Sequence, residues 1–262
     1  MSKKRMISRV VPMALACMAC VAMNAQEKEY PKPEEMRPGM SEYWTPQPKI
    51  VVPGDIETRS APSDAIVLFD GTNLNAWESA RDGSEAKWTV KEGAFTVNKS
   101  TGDIRTKQHF NNFQLHIEWR IPEGIHGESQ GRGNSGIFLQ GMYEVQVLDC
   151  YKSETYVNGM TGSIYKQTPP LVNVMRKPGE WNVYDIIYTA PIFKEDGSYL
   201  YPPRVTVMQN GVVLQNNTTI LGTTEYIGFP QVKPHGAGPI VLQDHGDPSE
   251  PISFRNIWIR EL

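Results

Sequence analysis

Val205-Thr-Val-Met-Gln-Asn-Gly-Val-Val-Leu-Gln215 is two apolar-rich runs joined by Asn210-Gly211. A two-residue hairpin turn needs positive φ at both central positions, and Asn-Gly reaches that conformation at low cost. The segment therefore reads as two antiparallel strands. The same pattern recurs on either side of it. Phe113–Ile121 places Phe113, Leu115, Ile117 and Trp119 on one face and Gln114, His116, Glu118 and Arg120 on the other. Trp88–Val90 and Ala94–Val97 flank Glu92-Gly93, a second hairpin signal, and Ala65–Phe69 is an apolar run closed by Asp70-Gly71. Tyr143–Asp149, Trp181–Ala190, Pro239–Leu242 and Ile252–Ile259 continue the series. No window of a dozen residues carries a 3.6-residue period, and 22 Gly and 20 Pro supply turns. These features predict an all-β fold, a two-sheet antiparallel sandwich of the jelly-roll kind.

The 262 residues suit one large all-β domain as well as two small ones. Lys3, Lys4 and Arg5 followed by the apolar stretch Val10–Met23 read as a signal peptide, too short for a membrane span and with no second apolar segment after it. Cleavage after Ala25 is expected, with a lipidated Cys17 or Cys20 as the alternative, so the mature chain belongs to the periplasm, the cell surface or the medium. Residues 26–62 carry seven prolines from Pro31 to Pro62, which exclude a helix or central strand and predict an extended arm. The folded domain then runs over 63–262. Lys and Arg total 26 against 29 Asp and Glu, a near balance that argues against a nucleic-acid partner. Beyond the leader only Cys150 remains, so no intrachain disulfide forms, and a lone Cys without a neighbouring His reads as a small buried apolar residue.

Chemistry concentrates in three places. Gly124-Ile-His-Gly-Glu-Ser-Gln-Gly-Arg-Gly-Asn-Ser-Gly136 alternates five glycines with polar groups including His126, Arg132 and Asn134. Such a stretch either aims side chains at a ligand or is a solvated loop. In the following strand Glu144 and Gln146 share a face opposite Tyr143, Val145 and Val147, and that face is either solvent or site. The third cluster is Gln243-Asp-His-Gly-Asp247, with Phe254-Arg-Asn-Ile257 as its counterpart. His245 there is a base, a metal ligand or a turn residue, and Arg255 binds either a sugar oxygen or a carboxylate such as Asp244 or Asp247. His109, His116 and His235 have no ligand-like spacing and read as ordinary. Beyond the leader neither HExxH nor a paired-Cys metal motif is present, and there is no phosphate loop.

Leu68-Phe-Asp-Gly-Thr-Asn-Leu-Asn-Ala-Trp77, Gly133-Asn-Ser-Gly-Ile-Phe138, Tyr143–Asp149, Gly179-Glu-Trp-Asn182, Asn210-Gly211 and Phe254–Ile257 follow one another in an order that resembles the 3-keto-disaccharide hydrolase family, over roughly residues 40–262. Cys150 departs from the small hydroxyl residue expected there. The resemblance implies a concanavalin A-like jelly roll and cleavage of 3-keto-glycosides by elimination across C2 and C1, then hydration. A separate sugar 3-oxidoreductase would supply the ketone. It implies Glu144 or His245 as base and His126 as the other proton carrier. Arg132, Arg255 or a bound divalent ion would stabilise the enolate, with Asn134, Gln146, Asp149 and Gln243 completing the substrate contacts. A conventional glycosidase needs two carboxylates, and in Glu144-Val-Gln146-Val-Leu-Asp149 the middle acid of the laminarinase pattern is Gln146. A conventional glycosidase and a non-catalytic carbohydrate-binding module are the alternatives.

Overall fold

The computed structural model describes Val52, Asp55 and residues 57–262. The expected signal segment, Cys17, Cys20 and most of the proline-rich arm lie outside the described residues. In chain order the strands are β1 (Ile66–Phe69), β2 (Trp77–Ser79), β3 (Thr89–Lys91), β4 (Ala94–Thr96), β5 (Ile104–Thr106), β6 (Phe113–Arg120), β7 (Ser135–Leu139) and β8 (Tyr143–Val147). They continue with β9 (Trp181–Thr189), β10 (Ile192–Phe193), β11 (Tyr199–Tyr201), β12 (Arg204–Gln209), β13 (Val212–Thr219), β14 (Val241–Leu242) and β15 (Ser253–Glu261). Among the described residues there is no α-helix, only two 3₁₀ turns at Ser129–Gly131 and Val157–Gly159. No helix among them is long and apolar enough to cross a membrane.

The larger sheet has the order β13-β12-β9-β6-β15-β4-β3, and β1 pairs with the half of β15 that β4 leaves free. The smaller sheet has the order β2-β5-β14-β7-β8, and β10 and β11 form a separate ribbon. The fold is the all-β, antiparallel jelly-roll sandwich. Both predicted hairpins are present, with φ of 53° and 74° at Glu92 and Gly93, and 53° and 83° at Asn210 and Gly211. The strands β2 and β5 and the β10–β11 ribbon were not foreseen, and each is only two or three residues long.

Alternation drives the packing. Leu115, Ile117 and Trp119 of β6 and Tyr184, Ile186 and Tyr188 of β9 share one core with Ile137 and Leu139 of β7 and Tyr143, Val145 and Val147 of β8. None of these side chains is more than 1% exposed. Each contributes on the order of 1.5–3 kcal/mol by burial, which lets the fold stand with Cys150 as a free, buried thiol. The opening motif belongs to this structure rather than to a site. Trp77 is buried and donates its Nε1–H to the Leu68 carbonyl at 2.8 Å, and a Cβ on Gly71 (φ 101°) would stand 3.1 Å from Gly93 Cα.

Strand β15 breaks its own alternation. Phe254 and Ile257 both point into the core although they are three residues apart, and a bulge at Asn256 (φ 45°) absorbs the extra residue. Asn256 Nδ2 donates to the carbonyls of Thr58 and Arg59 at 3.3 and 3.2 Å, and Trp258 Nε1 donates to that of Arg59 at 3.2 Å. Residues at the end of the expected arm are therefore tied to the outer face of the large sheet.

Candidate active site

The small sheet has a core face and a far face. Tyr143, Val145 and Val147 enter the core, so Glu144 and Gln146 occupy the far face. Register sets Phe138 opposite Glu144 and Gly136 opposite Gln146. Gln243 N donates to the Gly136 carbonyl at 3.1 Å, which extends the row past β14. This face is not bathed in solvent: Glu144 is 4% exposed and Gln146 1%. Residues 161–168 run along the outer edge of β8, where Gly162 N and Tyr165 N donate to the carbonyls of Gln146 and Glu144. An edge strand covered in this way cannot recruit a foreign strand, and its far-face side chains lose water.

A cavity of about 240 Å³ opens here, lined by Asn134, Phe138, Glu144, Gln146, Tyr165, Thr224, Tyr226, Gln243 and His245. Gly136 makes the room. A Cβ at that position would lie 2.5 Å from Glu144 Oε1, so only glycine lets the carboxyl group lean over β7. Burial pushes the Glu144 pKa up to about 8, the negative charge of Asp103 adds to it, and no hydrogen bond from a described residue offsets either. At neutral pH this group is a carboxylic acid with a proton to give. Asp103 is itself raised by burial, although Asp244 N donates to it at 2.8 Å.

His245 supplies the complementary group. Its Nδ1 lies 3.4 Å from Asp247 Oδ2 and its Nε2 3.2 Å from Asn134 Nδ2. Asn134 Nδ2 also donates to the Gln130 carbonyl at 2.8 Å, which fixes the nitrogen end of that amide. Its other N–H then meets a lone pair on His245 Nε2. This arrangement sets Nε2 as the acceptor nitrogen on the cavity side and turns Nδ1 toward Asp247. Burial raises the Asp247 pKa, but hydrogen bonds from His245 and Ser249 outweigh it and hold the group ionised, below the ordinary range. Lys99 braces the loop by donating to the carbonyls of Asp247 and Ser249.

Among the residues lining the cavity, two buried polar atoms remain without a partner. Asn134 Oδ1 and Gln243 Oε1 are buried and unsatisfied, which is costly unless a ligand or water meets them. The amide of Gln146, by contrast, is committed, donating to Gln130 Oε1 at 3.1 Å and accepting from Val147 N at 3.0 Å.

Of the residues singled out in the sequence, the fold brings together Glu144, His245, Asn134, Gln146 and Gln243. It sends four elsewhere. The His126 side chain is 83% exposed and pairs with Glu250. Arg132 turns back into its own loop, donating to buried Asp149 at 2.7 Å and to the Ile125 carbonyl at 2.9 Å. The pair clamps the glycine-rich segment, so neither Arg132 nor Asp149 lines the cavity. Arg255 lies on the outer face of the other sheet, paired with Glu118 at 2.7 Å and not with Asp244 or Asp247. Among the described residues, no three His, Cys, Asp or Glu side chains come together in a metal-binding group. Cys150 is inert, its thiol pushed up to about 11 by burial. Sequence reasoning missed Phe138, Tyr165, Thr224, Tyr226, Asp103 and the pairing of Asp247 with His245. Tyr165, Thr224 and Tyr226 lie in irregular segments with no periodic signal.

A jelly-roll sandwich whose sheet face sets a carboxyl group and an imidazole in one cavity is built for acid–base chemistry, and its relatives make it a hydrolytic enzyme. The chain belongs to the family described as the 3-keto-alpha-glucoside-1,2-lyase-like domain, whose model matches residues 64–260. A Bacteroides thetaiotaomicron protein named 3-keto-disaccharide hydrolase is 26% identical, over 95% of this chain and 96% of its own. A crystal structure from Parabacteroides distasonis, provisionally described as a glycosyl hydrolase, is 70% identical with a TM-score of 0.84, covering 89% of this chain and 100% of that one. Another from that organism, at 23% identity and a TM-score of 0.55 over 76% and 94% of the two chains, shares the fold.

Proposed function

We propose that the enzyme cleaves 3-keto-glycosides by elimination followed by hydration. One observation carries the reading: Glu144 is the single carboxyl group among the described residues lining the cavity, and it is held as the neutral acid. Direct glycoside hydrolysis needs a second carboxylate as nucleophile or base, and Gln146 stands where it would be sought.

Elimination needs only groups that are present. The C3 ketone acidifies the hydrogen on C2, and His245 Nε2 exchanges its hydrogen bond from Asn134 for that hydrogen and removes it, leaving an enolate. The Gln243 side-chain N–H, and the Asn134 N–H that His245 gives up, are the donors on hand for the enolate oxygen. As the enolate collapses, C1=C2 forms and the C1–O bond breaks. Glu144 gives its proton to the departing oxygen. Water then adds at C1 as Glu144 takes back a proton, and His245 returns the other to C2. Both groups end as they began, and the sum is hydrolysis. The ketone itself must come from a separate sugar 3-oxidoreductase.

The test is turnover of one disaccharide before and after oxidation at C3, run in deuterium oxide. The expected result is product only from the keto form, with deuterium at C2. Equal turnover of the unoxidised sugar overturns the reading, and deuterium at C2 reports exchange of the His245 proton with solvent before its return. Export is proposed with it, from the Lys3–Arg5 and Val10–Met23 pattern. Intact mass from the native host should place the mature start near Gln26, whereas a full-length mass retaining Met1 refutes export.

A further inference from the structure

The wall of the cavity next to Glu144 continues outward. Tyr226 lines the cavity, yet it is 73% exposed, and beyond it Ile227 and Phe229 are 84% and 89% exposed. Three large apolar side chains displayed together on one short loop mark a contact surface. The loop is anchored at its base, where Thr223 N donates to Gln231 O at 2.9 Å and Gln231 N donates to Thr223 Oγ1 at 3.4 Å. Thr224 N donates to the Met142 carbonyl at 2.9 Å, and Glu144 N donates to Thr224 Oγ1 at 2.9 Å. The platform is thereby tied to the backbone of the residue that carries the acid. Lys166 Nζ braces the rim, 5.5 Å from the Tyr226 ring centroid and 4.3 Å from that of Tyr156.

We propose that residues 226–229 form the subsite for the leaving group, so the enzyme encloses one sugar ring and rests the departing group on an apolar platform outside. This rests on the reading above, in which Glu144 protonates the departing oxygen. Size and direction both support it. About 240 Å³ falls below the roughly 300–1,000 Å³ of cavities that enclose drug-sized ligands, so it takes one ring and not two. The acid marks where the scissile bond lies, and the loop rooted at Glu144 leads away from it. Such a platform favours leaving groups with a flat apolar face, as a pyranose ring has, and works on chain ends rather than internal bonds.

Ile227 and Phe229 lie outside the acid–base machinery and are exposed, so the double variant Ile227→Ala/Phe229→Ala should melt with the wild type. Its kcat/KM for a 3-keto-disaccharide should fall about tenfold, a loss of about 1.4 kcal/mol. A methyl 3-ketoglycoside of the same sugar, whose leaving group cannot reach the loop, should be turned over unchanged. An equal fall on both substrates, or none on the disaccharide, overturns the subsite. If the wild type turns over neither substrate, the elimination reading fails, and calorimetric binding of the unoxidised disaccharide and methyl glycoside then decides. A wild-type preference for the disaccharide that the variant loses keeps the subsite, and a preference that is absent or unchanged removes it.

Discussion

Glu118 and Glu144 sit on the faces of different sheets, and they are almost equally hidden, at 5% and 4% exposure. Their electrostatic fates are opposite. Glu118, on the outer face of the large sheet, accepts from Arg255 Nε at 2.7 Å and Asn256 Nδ2 at 2.9 Å, with His116 Nε2 3.7 Å away. Burial pushes its pKa up, but those three partners outweigh burial and hold it to about 2. Burial pulls His116 down, and its bonds to Asp185 and Glu118 more than reverse that. Its ring stacks on Trp258 at 5.0 Å, while Arg120 and Arg255 cover Trp181 at 4.6 and 4.2 Å. The Glu118 charge is answered by protein groups, and the cluster braces the outer sheet face beside a separate open cavity of about 860 Å³ lined by Arg176, Trp181, Arg255 and Asn256. Glu144 has burial without answering donors, and beside it two amide oxygens stand unpaired. Low exposure alone does not separate a site from a strut. Uncommitted hydrogen-bonding capacity does.

The sharpest way to break this contrast is to neutralise each glutamate. Glu144→Gln should lower kcat by about 10²–10⁴, the usual loss when a positioned proton carrier is removed, while the protein melts at pH 7 no lower than the wild type. Glu118→Gln should leave kcat within about twofold of the wild type, a change worth roughly 0.4 kcal/mol. It should cost on the order of 2–4 kcal/mol of stability, because Arg255 and His116 lose their counter-charge. Denaturant melts and steady-state rates on the two variants check both halves. A Glu118 variant that is stable but inactive, or a Glu144 variant that is active but unstable, would reverse the assignments.

A smaller effect is expected at Asp247, which touches no substrate but orients His245. Asp247→Asn keeps the shape, removes the charge and frees the imidazole to adopt the other tautomer. The expected loss is roughly 10-fold to 100-fold in kcat, less than for removing a proton carrier outright, with the acid limb of the pH–rate profile displaced. A purely structural Asp247 would lower the melting temperature and leave that limb where it was.

Much of this contrast is legible in the sequence, and the rest is hidden for identifiable reasons. Asn210-Gly211 and Glu92-Gly93 announce hairpins because their turns need positive φ, and β6 shows its core face by strict alternation. Glu144, Gln146 and the polar run after Leu242 are visible because polar residues follow or alternate with apolar ones. Arg255 misleads because one bulge residue, Asn256, resets β15, and because nothing local says which sheet that strand joins. The glycine-rich loop misleads too, since Arg132 there finds its partner, Asp149, past the end of β8. Tyr165, Thr224 and Tyr226 reach the cavity, and the charge of Asp103 reaches Glu144, only through tertiary folding, from segments without a period. A polar cluster can be strut or site, and only its partners decide which.

The smallest effects lie in pH dependence, and the two glutamates should respond with opposite sign. The folded pKa of Glu144 is raised from 4.5 to about 8, so the folded state binds that proton more tightly than the unfolded chain does. Stability from this group is therefore greatest below about pH 4.5 and declines as pH rises toward 8. Glu118 is depressed to about 2, so its stabilisation is complete above pH 4.5 and is lost as pH falls toward 2. Between pH 6 and 9 the wild-type melting temperature should drift down by a few degrees, at roughly 2–4 °C per kcal/mol for a domain of this size. Glu144→Gln should flatten that drift, while Glu118→Gln should leave it in place and flatten the acid side instead. Turnover should fall over the same alkaline range as Glu144 loses the proton it must donate. An alkaline drift that persists unchanged in Glu144→Gln would assign it to another group and leave Glu144 ionised at neutral pH, as Glu118 is.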